Sequence, residues 1–567
     1  MRIFLALLLT AATARAADRL TDFTASSGAP RAAEQTAVVF EAADLQLKVD
    51  PRKRSIEGAA ALTFRAEAAA SRLAVELDRN LRVRSIDVDG TAVAAGSWSN
   101  PQGRLFIPLA KPLAAGDRTT VRIRYGGKPH VAKRAPWDGG FVWAKTPDGQ
   151  PWVATAVQGE GCDLFWPCID HPLGEPARMD LHITVPTPLV AASNGVAVGM
   201  EEKDGWRTYH WRTRNPTTYG IALNIAPYEL MSGEYKSRFG NTIPLRFYHL
   251  RGHDAKAREL FAELTPILDF FESTIGPYPF ADEKVGIVET PHLGMEHQTI
   301  NAYGNKYAKS PEGYDWLLQH EFAHEWFGNQ MTNSDWDDMW LHEGLGSYMQ
   351  PLYLQYLHGD RMYFAMLHRG RAGIKNTAAL VSGKTRTEED VYQAARGGPG
   401  GDIYVKGAYV LHTLRNLIGD EAFFRSVRRL VYGTEDPRPG NFTPRYASTR
   451  DFVRIVNEVT GRDYGWFFDV YVFSAALPEL TSTRDASGLT LAWKTAENRA
   501  FPMPVDVRVG DRVETLPMTD GRGRVALPPD TTFTLDPGSK LLRQEPYIEA
   551  FQKYDAEQKA IAAKKTK

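Results

Sequence analysis

Apolar and polar residues alternate along residues 37–230 with the period of two that is typical of β-strands with one buried face. The clearest runs are Leu45, Leu47 and Val49; Leu73, Val75 and Leu77; and Val121, Ile123 and Tyr125. Turn-forming pairs such as Asp89-Gly90 separate these runs. We therefore predict an all-β N-terminal domain over residues 37–230, with one sheet packed on another.

The spacing of apolar residues becomes helical after Asp254, which we predict to cap a helix carrying Leu260, Phe261, Leu264, Ile267, Leu268 and Phe271. Helical spacing continues to about residue 475, which predicts a mostly helical domain over residues 231–477. Alternation returns over residues 478–545, as in Leu489, Leu491 and Trp493 or Val505, Val507 and Val509, and predicts a small β-sandwich. Residues 546–567 form a charged tail with the composition of a frayed helix.

The first residues fit neither pattern. Met1-Arg2 is a short basic start, residues 3–13 are apolar, and Ala14-Arg15-Ala16 has the small-residue spacing of a cleavage site. We predict a signal peptide over residues 1–16, cleaved near Ala16, and export to the periplasm or the medium. No later segment reaches about 18 uncharged apolar residues, so no integral membrane segment is predicted.

Composition and cysteine content add little about partners. The 567 residues include 67 Lys or Arg and 68 Asp or Glu, and this balance indicates neither a nucleic-acid partner nor an anionic membrane surface. Cys162 and Cys168 are the only cysteines. In an extended strand their Cα atoms would lie about 20 Å apart, beyond disulfide reach. A disulfide across a turn and two buried free thiols both remain open, and the oligomeric state is not defined.

The candidate chemistry lies in residues 320–343, which read HEFAHEWFGNQMTNSDWDDMWLHE. On a helix, His320 and His324 lie one turn apart on the same face, where two imidazoles can bind one metal ion. Catalytic zinc sites take three protein ligands and leave one position for water, and Glu343 from a second helix would be the third ligand. Glu321 would then be the general base. Chance produces a His-acid-x-x-His string about 0.04 times in a chain of this composition.

The residues around this motif predict two helices that converge on the metal. Ser310-Pro311 is typical of a helix start, with Trp316, Leu317, Phe322 and Trp326 on the buried face and Gly328-Asn329 at the end. A second helix is predicted from near Asp337 and carries Leu345, Met349, Leu352 and Tyr356, with Pro351 as a kink point. Asp337 and Asp338 are candidates for orienting the histidine ligands.

With these motifs placed, the chain resembles the aminopeptidase N and leukotriene hydrolase family of zinc metallopeptidases over most of residues 37–478. Residues 340–344, WLHEG, resemble the family's W-L-N-E-G, which carries its third zinc ligand, and WFGN at 326–329 is the family's usual continuation. The resemblance implies one Zn²⁺ per chain and a multidomain α+β fold with a thermolysin-like, mostly helical catalytic domain. It also implies a more open site, since residues 478–545 take the place of the long helical domain of many members.

Three further segments resemble the motifs that bind the substrate in this family. Gly294-Met295-Glu296-His297 resembles the family's G-x-M-E-N, which implies that Glu296 binds the substrate's α-ammonium while Gly294 and Met295 line the bound backbone. An acidic residue there would offset the desolvation of that cation. His297 stands where the family has Asn, which puts the hydrogen bonding behind Glu296 in question.

The other two segments supply a phenol and an amide. Residues 403–407, IYVKG, resemble the family's Y-x-K-G, in which the tyrosine stabilises the oxyanion, and this implies that role for Tyr404. Gln158, nine residues before Pro167, matches a position where the family places Gln or Glu on the substrate amine.

These features predict a zinc-dependent aminopeptidase that removes single N-terminal residues from peptides with a free N-terminus. Zinc activates a water whose proton Glu321 accepts. Three alternatives stay open: a zincin endopeptidase with the same metal and base, epoxide hydrolysis on the same zinc framework, and a binding module without activity. An amine anchor at Glu296 distinguishes the first, and the complete set of ligands, base and tyrosine argues against the last. The preferred N-terminal residue is not defined by the sequence.

Overall fold

The computed structural model of the protein describes residues 20–440, 442–528 and 530–565. The predicted signal peptide, residues 1–16, lies outside these ranges. The predicted alternation is present at residue level: Leu45, Leu47 and Val49 are buried, whereas Gln46 and Lys48 between them are exposed.

The N-terminal region begins with a short helix α1 (Ala33–Thr36) and continues as strands. These are β1 (Val38–Asp50), β2 (Ser55–Ala66), β3 (Ala70–Glu76), β4 (Leu81–Val88), β5 (Thr91–Ala92), β6 (Arg104–Leu113), β7 (Arg118–Gly127), β8 (Gly140–Lys145), β9 (Pro151–Ala156), β10 (Arg178–Pro186), β11 (Val190–Ala192), β12 (Val196–Lys203), β13 (Trp206–Arg214) and β14 (Asn224–Ala226). The main sheet has the order β12-β13-β10-β1-β2-β7-β4-β5, and a second has the order β11-β14-β9-β8. Residues of both sheets and of the β3-β6 pair share one apolar core, which confirms the all-β prediction.

Cys162 and Cys168 form a disulfide, which resolves the alternative left open by the sequence. A 3₁₀ turn at Cys162–Leu164 folds the segment back, so that the two Cα atoms lie 6.4 Å apart. The extended geometry that would have separated the cysteines is therefore absent from this loop.

A mixed sheet opens the next region, where the sequence predicted mostly helices. Its strands are β15 (Tyr228–Lys236), β16 (Thr242–Leu250), β17 (Val285–Glu289), β18 (Gly294–Met295) and β19 (Asn301–Tyr303), in the order β15-β16-β17-β19-β18. The predicted division at residue 230 falls within β15. Every residue of β17 is buried, so this strand shows no alternation by which it could be recognised. The two-residue β18 is the edge strand, and Glu296 follows it.

Helices form most of the remainder of this region. They are α2 (Asp254–Ala262), α3 (Leu264–Thr274), α4 (Trp316–Ala323), α5 (Trp340–His358), α6 (Asp360–Arg371), α7 (Glu388–Tyr392), α8 (Asp402–Ile418), α9 (Asp420–Tyr432), α10 (Thr449–Thr460) and α11 (Gly465–Tyr471), with a parallel strand pair β20 (Met331–Asn333) and β21 (Arg445–Ala447). The predicted helix after Asp254 is present as α2 and α3. Its N-cap is His253, however, and Asp254 is the first helical residue.

The metal-motif helix begins later than predicted. Asp315, rather than Ser310, caps α4, because its side chain accepts hydrogen bonds from the backbone N–H groups of Leu317 and Leu318, both at 3.0 Å. Trp316 is 37% exposed, which contradicts its predicted place on the buried face, whereas Leu317 is buried. The helix ends at Ala323 with His324 as its C-cap, five residues before Gly328, where the predicted end Gly328-Asn329 begins.

The second metal helix, α5, also begins later than predicted. Asp337 lies in a 3₁₀ turn at Trp336–Asp338, and α5 starts at Trp340, which places Glu343 in its first turn as expected. Pro351 is accommodated inside the helix without ending it.

The C-terminal region contains β22 (Glu479–Asp485), β23 (Gly488–Lys494), β24 (Val505–Val509), β25 (Arg512–Leu516), β26 (Arg522–Val525) and β27 (Phe533–Leu535). They form two small sheets, β22-β23-β26 and β25-β24-β27, whose buried residues continue the core of the helical region. A final helix, α12 (Pro546–Lys565), occupies the predicted tail. None of the helices within the described ranges has the length and apolar character needed to cross a membrane.

Candidate active site

The three predicted metal ligands meet in the structure. Glu343 Oε2 lies 3.6 Å from His320 Nε2 and 3.5 Å from His324 Nε2, and all three side chains are largely buried. Ligand atoms at 2.0–2.2 Å from a tetrahedral zinc ion lie about 3.3–3.6 Å from one another. Glu343 Oε2 has no hydrogen-bond partner among the described residues, although it is buried. The spacing and the unpaired oxygen both fit a zinc ion.

The ligand orientations have identifiable causes. His324 donates its Nδ1–H to the backbone carbonyl of Phe327 at 2.9 Å, which leaves Nε2 free for a metal. Asp337 and Asp338, the candidates named from the sequence, contact other groups: Asp337 accepts from the backbone N–H of Ser382 at 2.9 Å, and Asp338 from the Thr449 hydroxyl at 2.6 Å. The outer contact of His324 is thus a backbone carbonyl, which no side-chain pattern could indicate.

Charge balance distinguishes the two histidines. Burial lowers the pKa of His320 to about 4, so that this imidazole is neutral and its lone pair is available. Burial opposes protonation of His324 too, but the facing Glu343 outweighs it and raises the pKa of His324 to about 10. Burial would raise the pKa of Glu343, yet the two histidines and Tyr404 lower it to about 2. A proton and a metal ion therefore compete for the space between His324 and Glu343.

A second group of possible ligands, Glu229, His249 and Asp254, comes together at the start of α2. Arg251 Nε lies 3.3 Å from a Glu229 oxygen, and the positive end of the α2 dipole opposes a cation beside Asp254. The electrostatic surroundings of this group therefore favour a cation less than those of His320, His324 and Glu343.

Glu321, the predicted base, lies against the edge strand β18. A Cβ atom at Gly294 would lie 2.5 Å from Glu321 Oε1 and 2.7 Å from Leu317 Cδ1, so that only glycine lets the carboxylate approach this backbone. Burial, together with the charges of Glu296 and Glu343, raises the pKa of Glu321 well above its usual value. A carboxylate whose pKa is raised in this way is a stronger base.

Glu296, the predicted amine anchor, is 6% exposed, and its Oε1 has no hydrogen-bond partner among the described residues. Burial raises its pKa, and the nearby Glu343 adds to this effect while His324 opposes it. Its backbone carbonyl accepts from Asn329 Nδ2 at 3.1 Å. Asn329 also reaches Glu325, which holds Asn301 at 2.9 Å. Asn329 thus holds the backbone of Glu296, while one oxygen of its carboxylate is buried without a hydrogen-bond partner among the described residues.

His297, which stands where the family has Asn, makes no side-chain hydrogen bond within the described part of the chain. It is fully buried, and burial lowers the pKa of its imidazole to about 3. The hydrogen bonding behind Glu296 therefore comes from Asn329 and does not depend on residue 297.

Tyr404 donates its hydroxyl proton to Glu343 Oε1 at 2.8 Å. The pair is brought together where α5 crosses α8, because Gly344 and Gly407 face each other: a Cβ at Gly407 would lie 2.9 Å from the Gly344 Cα. Gly344 directly follows Glu343 and Gly407 lies three residues after Tyr404, so the two motifs pack directly on each other.

Two protein-family models match this chain, one in the N-terminal β region and one in the mainly helical region that follows it. Residues 40–219 match the peptidase M1 N-terminal domain and residues 267–471 match the peptidase family M1 domain. The chain belongs to peptidase family M1.

Relatives of this M1 chain are distant. Leucyl aminopeptidase of Saccharolobus solfataricus is 24% identical over 390 residues, which cover 64% of this chain and 47% of the relative. Endoplasmic reticulum aminopeptidase 1 of Homo sapiens is 23% identical over 348 residues, covering 57% of this chain and 35% of the relative. The chain thus spans about half of the length of such curated relatives, or less. An M1 zinc metallopeptidase mutant of Deinococcus radiodurans, solved with a Tyr-Ser-Ala substrate, has a TM-score of 0.65 at 24% identity, over 80% of this chain and 98% of that one.

The candidate active site lies in a cavity of about 360 Å³. All of the predicted metal-ligand, catalytic and substrate-binding residues line this cavity: His320, Glu321, His324, Glu343, Gly294, Met295, Glu296, Tyr404 and Gln158. The rest of the lining is mainly apolar and includes Trp137, Trp316, Met366, Leu367, Val405 and Tyr409.

Sequence reasoning missed Tyr392, the last residue of α7. Gln158 Nε2 donates to its hydroxyl at 3.0 Å, and that hydroxyl lies 3.3 Å from the Tyr404 hydroxyl. Tyr392 lies 12 residues before Tyr404 in a segment without a recognisable motif. Only the tertiary contact of α7 with the Gln158 loop reveals it.

Proposed function

We propose that this M1 protein is a zinc-dependent aminopeptidase that removes single N-terminal residues from peptides. One observation carries the proposal: the Glu296 carboxylate is buried beside the ligand cluster with an unpaired oxygen. A buried acceptor without a partner is costly, and a substrate's α-ammonium would satisfy it. An endopeptidase, which cleaves within a chain, does not require such an anion.

His320, His324 and Glu343 would hold the zinc ion. When bound there, zinc would lower the pKa of a water to about 7 and would polarise the carbonyl of the scissile bond. Glu321 accepts the proton of the attacking water and passes it to the leaving amine. Tyr404 donates to the carbonyl oxygen as negative charge develops there.

The cavity walls suggest which peptides are preferred. Apart from Glu296 and the zinc-site residues, the lining described above is mainly apolar and aromatic. Peptides with apolar residues at or next to the N-terminus would bury their side chains there, at about 25 cal/mol per Å² of apolar surface. We propose this as the substrate class.

Export remains part of the proposal. It rests on the basic, apolar and small-residue pattern of residues 1–16, and the Cys162–Cys168 disulfide is compatible with an oxidising compartment.

The test measures zinc content together with hydrolysis of aminoacyl anilides by the wild type and by Glu321→Ala. We expect about one zinc per chain in both proteins and hydrolysis by the wild type alone. A wild type without zinc, or activity that survives the substitution, would refute the mechanism. Leucyl, phenylalanyl and lysyl anilides compared in the same assay test the apolar preference, which fails if the lysyl substrate is cleaved best.

A further inference from the structure

Tyr392 is a polar residue of the site to which the mechanism above gives no part. It stands behind Gln158 and Tyr404, which line the cavity. Its hydroxyl meets three polar groups: Gln158 Nε2 at 3.0 Å, Tyr404 Oη at 3.3 Å and Glu343 Oε1 at 3.5 Å. A hydroxyl at this position links the loop of Gln158 to the third metal ligand.

The directions of these hydrogen bonds follow from the donors available. The amide nitrogen of Gln158 can only donate, so Tyr392 Oη accepts from it and directs its own proton towards Tyr404 and Glu343. Tyr404 has a single hydroxyl proton, and it is given to Glu343 Oε1 at 2.8 Å. In the free enzyme, Tyr404 therefore donates its hydrogen bond to the proposed metal ligand Glu343.

The proposed mechanism requires the hydroxyl proton of Tyr404 at the substrate's carbonyl oxygen. When Tyr404 donates to the developing oxyanion, Glu343 Oε1 loses its donor, and leaving a buried acceptor unpaired is costly. Tyr392 Oη already makes a long hydrogen bond of 3.5 Å to that oxygen, and a small rotation of the phenol would shorten it to an ordinary one.

We propose that Tyr392 is a positioning residue that takes over the hydrogen bond to Glu343 Oε1 when Tyr404 turns to the oxyanion. This inference rests on the proposed function. The role of Gln158 in it is to hold the Tyr392 hydroxyl with its proton directed at Tyr404 and Glu343.

The scaffold around Tyr392 is built to keep it there. Glu388, at the start of α7, accepts from the backbone N–H of Gly159 at 2.9 Å, one residue after Gln158. The backbone N–H of Glu388 donates to the carbonyl of Ser27 at 3.0 Å. Thr387 and Asp390 form a capping box at the same helix end. Helix α7 is thus fixed to the loop that carries Gln158.

The test compares Tyr392→Phe with Tyr363→Phe, which removes a buried hydroxyl of the same kind that bonds to Tyr348 at 2.7 Å and does not line the cavity. We expect Tyr392→Phe to lower kcat about tenfold to a hundredfold, with KM within about twofold and zinc content unchanged. Tyr363→Phe should keep the wild-type kcat. Wild-type kcat in Tyr392→Phe, or loss of zinc from it, overturns the inference.

Two further measurements separate positioning from a structural effect. In a Tyr404→Phe background, Tyr392→Phe should change kcat less than about twofold, because its effect passes through Tyr404. A 1-aminoalkyl phosphonate, whose tetrahedral anion resembles the intermediate, should bind Tyr392→Phe about tenfold or more weakly than wild type, while the free amino acid binds both equally. Additive losses in the double variant, or equal weakening of both ligands, contradict the inference.

Gln158→Glu distinguishes this role from amine binding. A carboxylate accepts the Tyr392 proton and turns it away from Tyr404, so kcat should fall as in Tyr392→Phe. If Gln158 acts only on the substrate amine, the added negative charge should lower KM and leave kcat unchanged. A wild type that hydrolyses no aminoacyl anilide would refute the proposed function itself, whereas an active wild type matched by Tyr392→Phe refutes only this inference.

Discussion

The proposed metal-ligand cluster and the proposed amine anchor are parts of one cavity, but they are built differently. In the ligand cluster, Glu343 Oε2 lies within 3.6 Å of a ring nitrogen of both His320 and His324. At the anchor, Glu296 Oε1 has no partner within the described ranges, and neither do the ring nitrogens of His297. The first arrangement is complete once a cation is added. The second would be completed by a substrate that brings its own cation. Under the proposed function, this difference lets one cavity combine general hydrolytic chemistry with selection for a free N-terminus.

The largest expected effect separates chemistry from binding. Glu321→Gln keeps the size of the side chain but removes the base, so kcat should fall by about 10²–10⁴-fold with KM and zinc content preserved. Steady-state kinetics with a leucyl anilide and metal analysis check this. Retained kcat would mean that the ligand cluster works without Glu321.

A smaller loss should follow from neutralising the anchor. Glu296→Gln removes the charge that pairs with the substrate ammonium, and kcat/KM for free peptides should fall about tenfold to a hundredfold. We expect hydrolysis of N-acetylated peptides to be poor in the wild type and not to fall further in this variant. An equal loss on both substrate types would show that Glu296 supports the metal cluster instead of the amine.

Gly294 joins the two parts, because its bare Cα allows Glu321 to lie against the edge strand that leads to Glu296. In Gly294→Ala the new Cβ would meet Glu321 Oε1 at 2.5 Å, and displacement of the base should lower kcat about tenfold. Gly199→Ala is the matched control, since a Cβ there meets nothing within 4 Å. If both variants retain wild-type kcat, the close approach at Gly294 is not needed.

The smallest effect is expected at His297. His297→Asn restores the family's residue, but Asn329 already holds the Glu296 carbonyl, so KM for free peptides should change less than about threefold. A large change in KM would place His297 in the amine site.

The sequence predicted the ligand cluster better than its surroundings, for physical reasons. His320 and His324 are one helical turn apart, and Glu343 lies in the first turn of the next helix, so local spacing is enough to indicate their convergence. The predicted cap of α4 was wrong. Ser310-Pro311 has the composition of a helix start, but the side chain of Asp315 makes the capping hydrogen bonds. Local sequence cannot distinguish two candidate caps five residues apart.

Long-range contacts account for what could not be predicted. Strand β17 is buried on both faces and carries no alternation, so the mixed sheet was not expected. The Gln158–Tyr392 hydrogen bond joins residues 234 apart, and the disulfide depends on a turn that composition does not reveal. The alternation of Leu45, Leu47 and Val49, by contrast, predicted the N-terminal β domain correctly, because one buried face leaves a clear period of two.

The most direct test follows one apolar peptide by mass spectrometry, with its N-terminus free and with it acetylated, after incubation with the zinc-loaded protein. We expect the free peptide to lose one residue at a time from its N-terminus and the acetylated peptide to remain intact. Internal cleavage, or equal digestion of both peptides, would contradict the account of Glu296 as the group that recognises a free N-terminus.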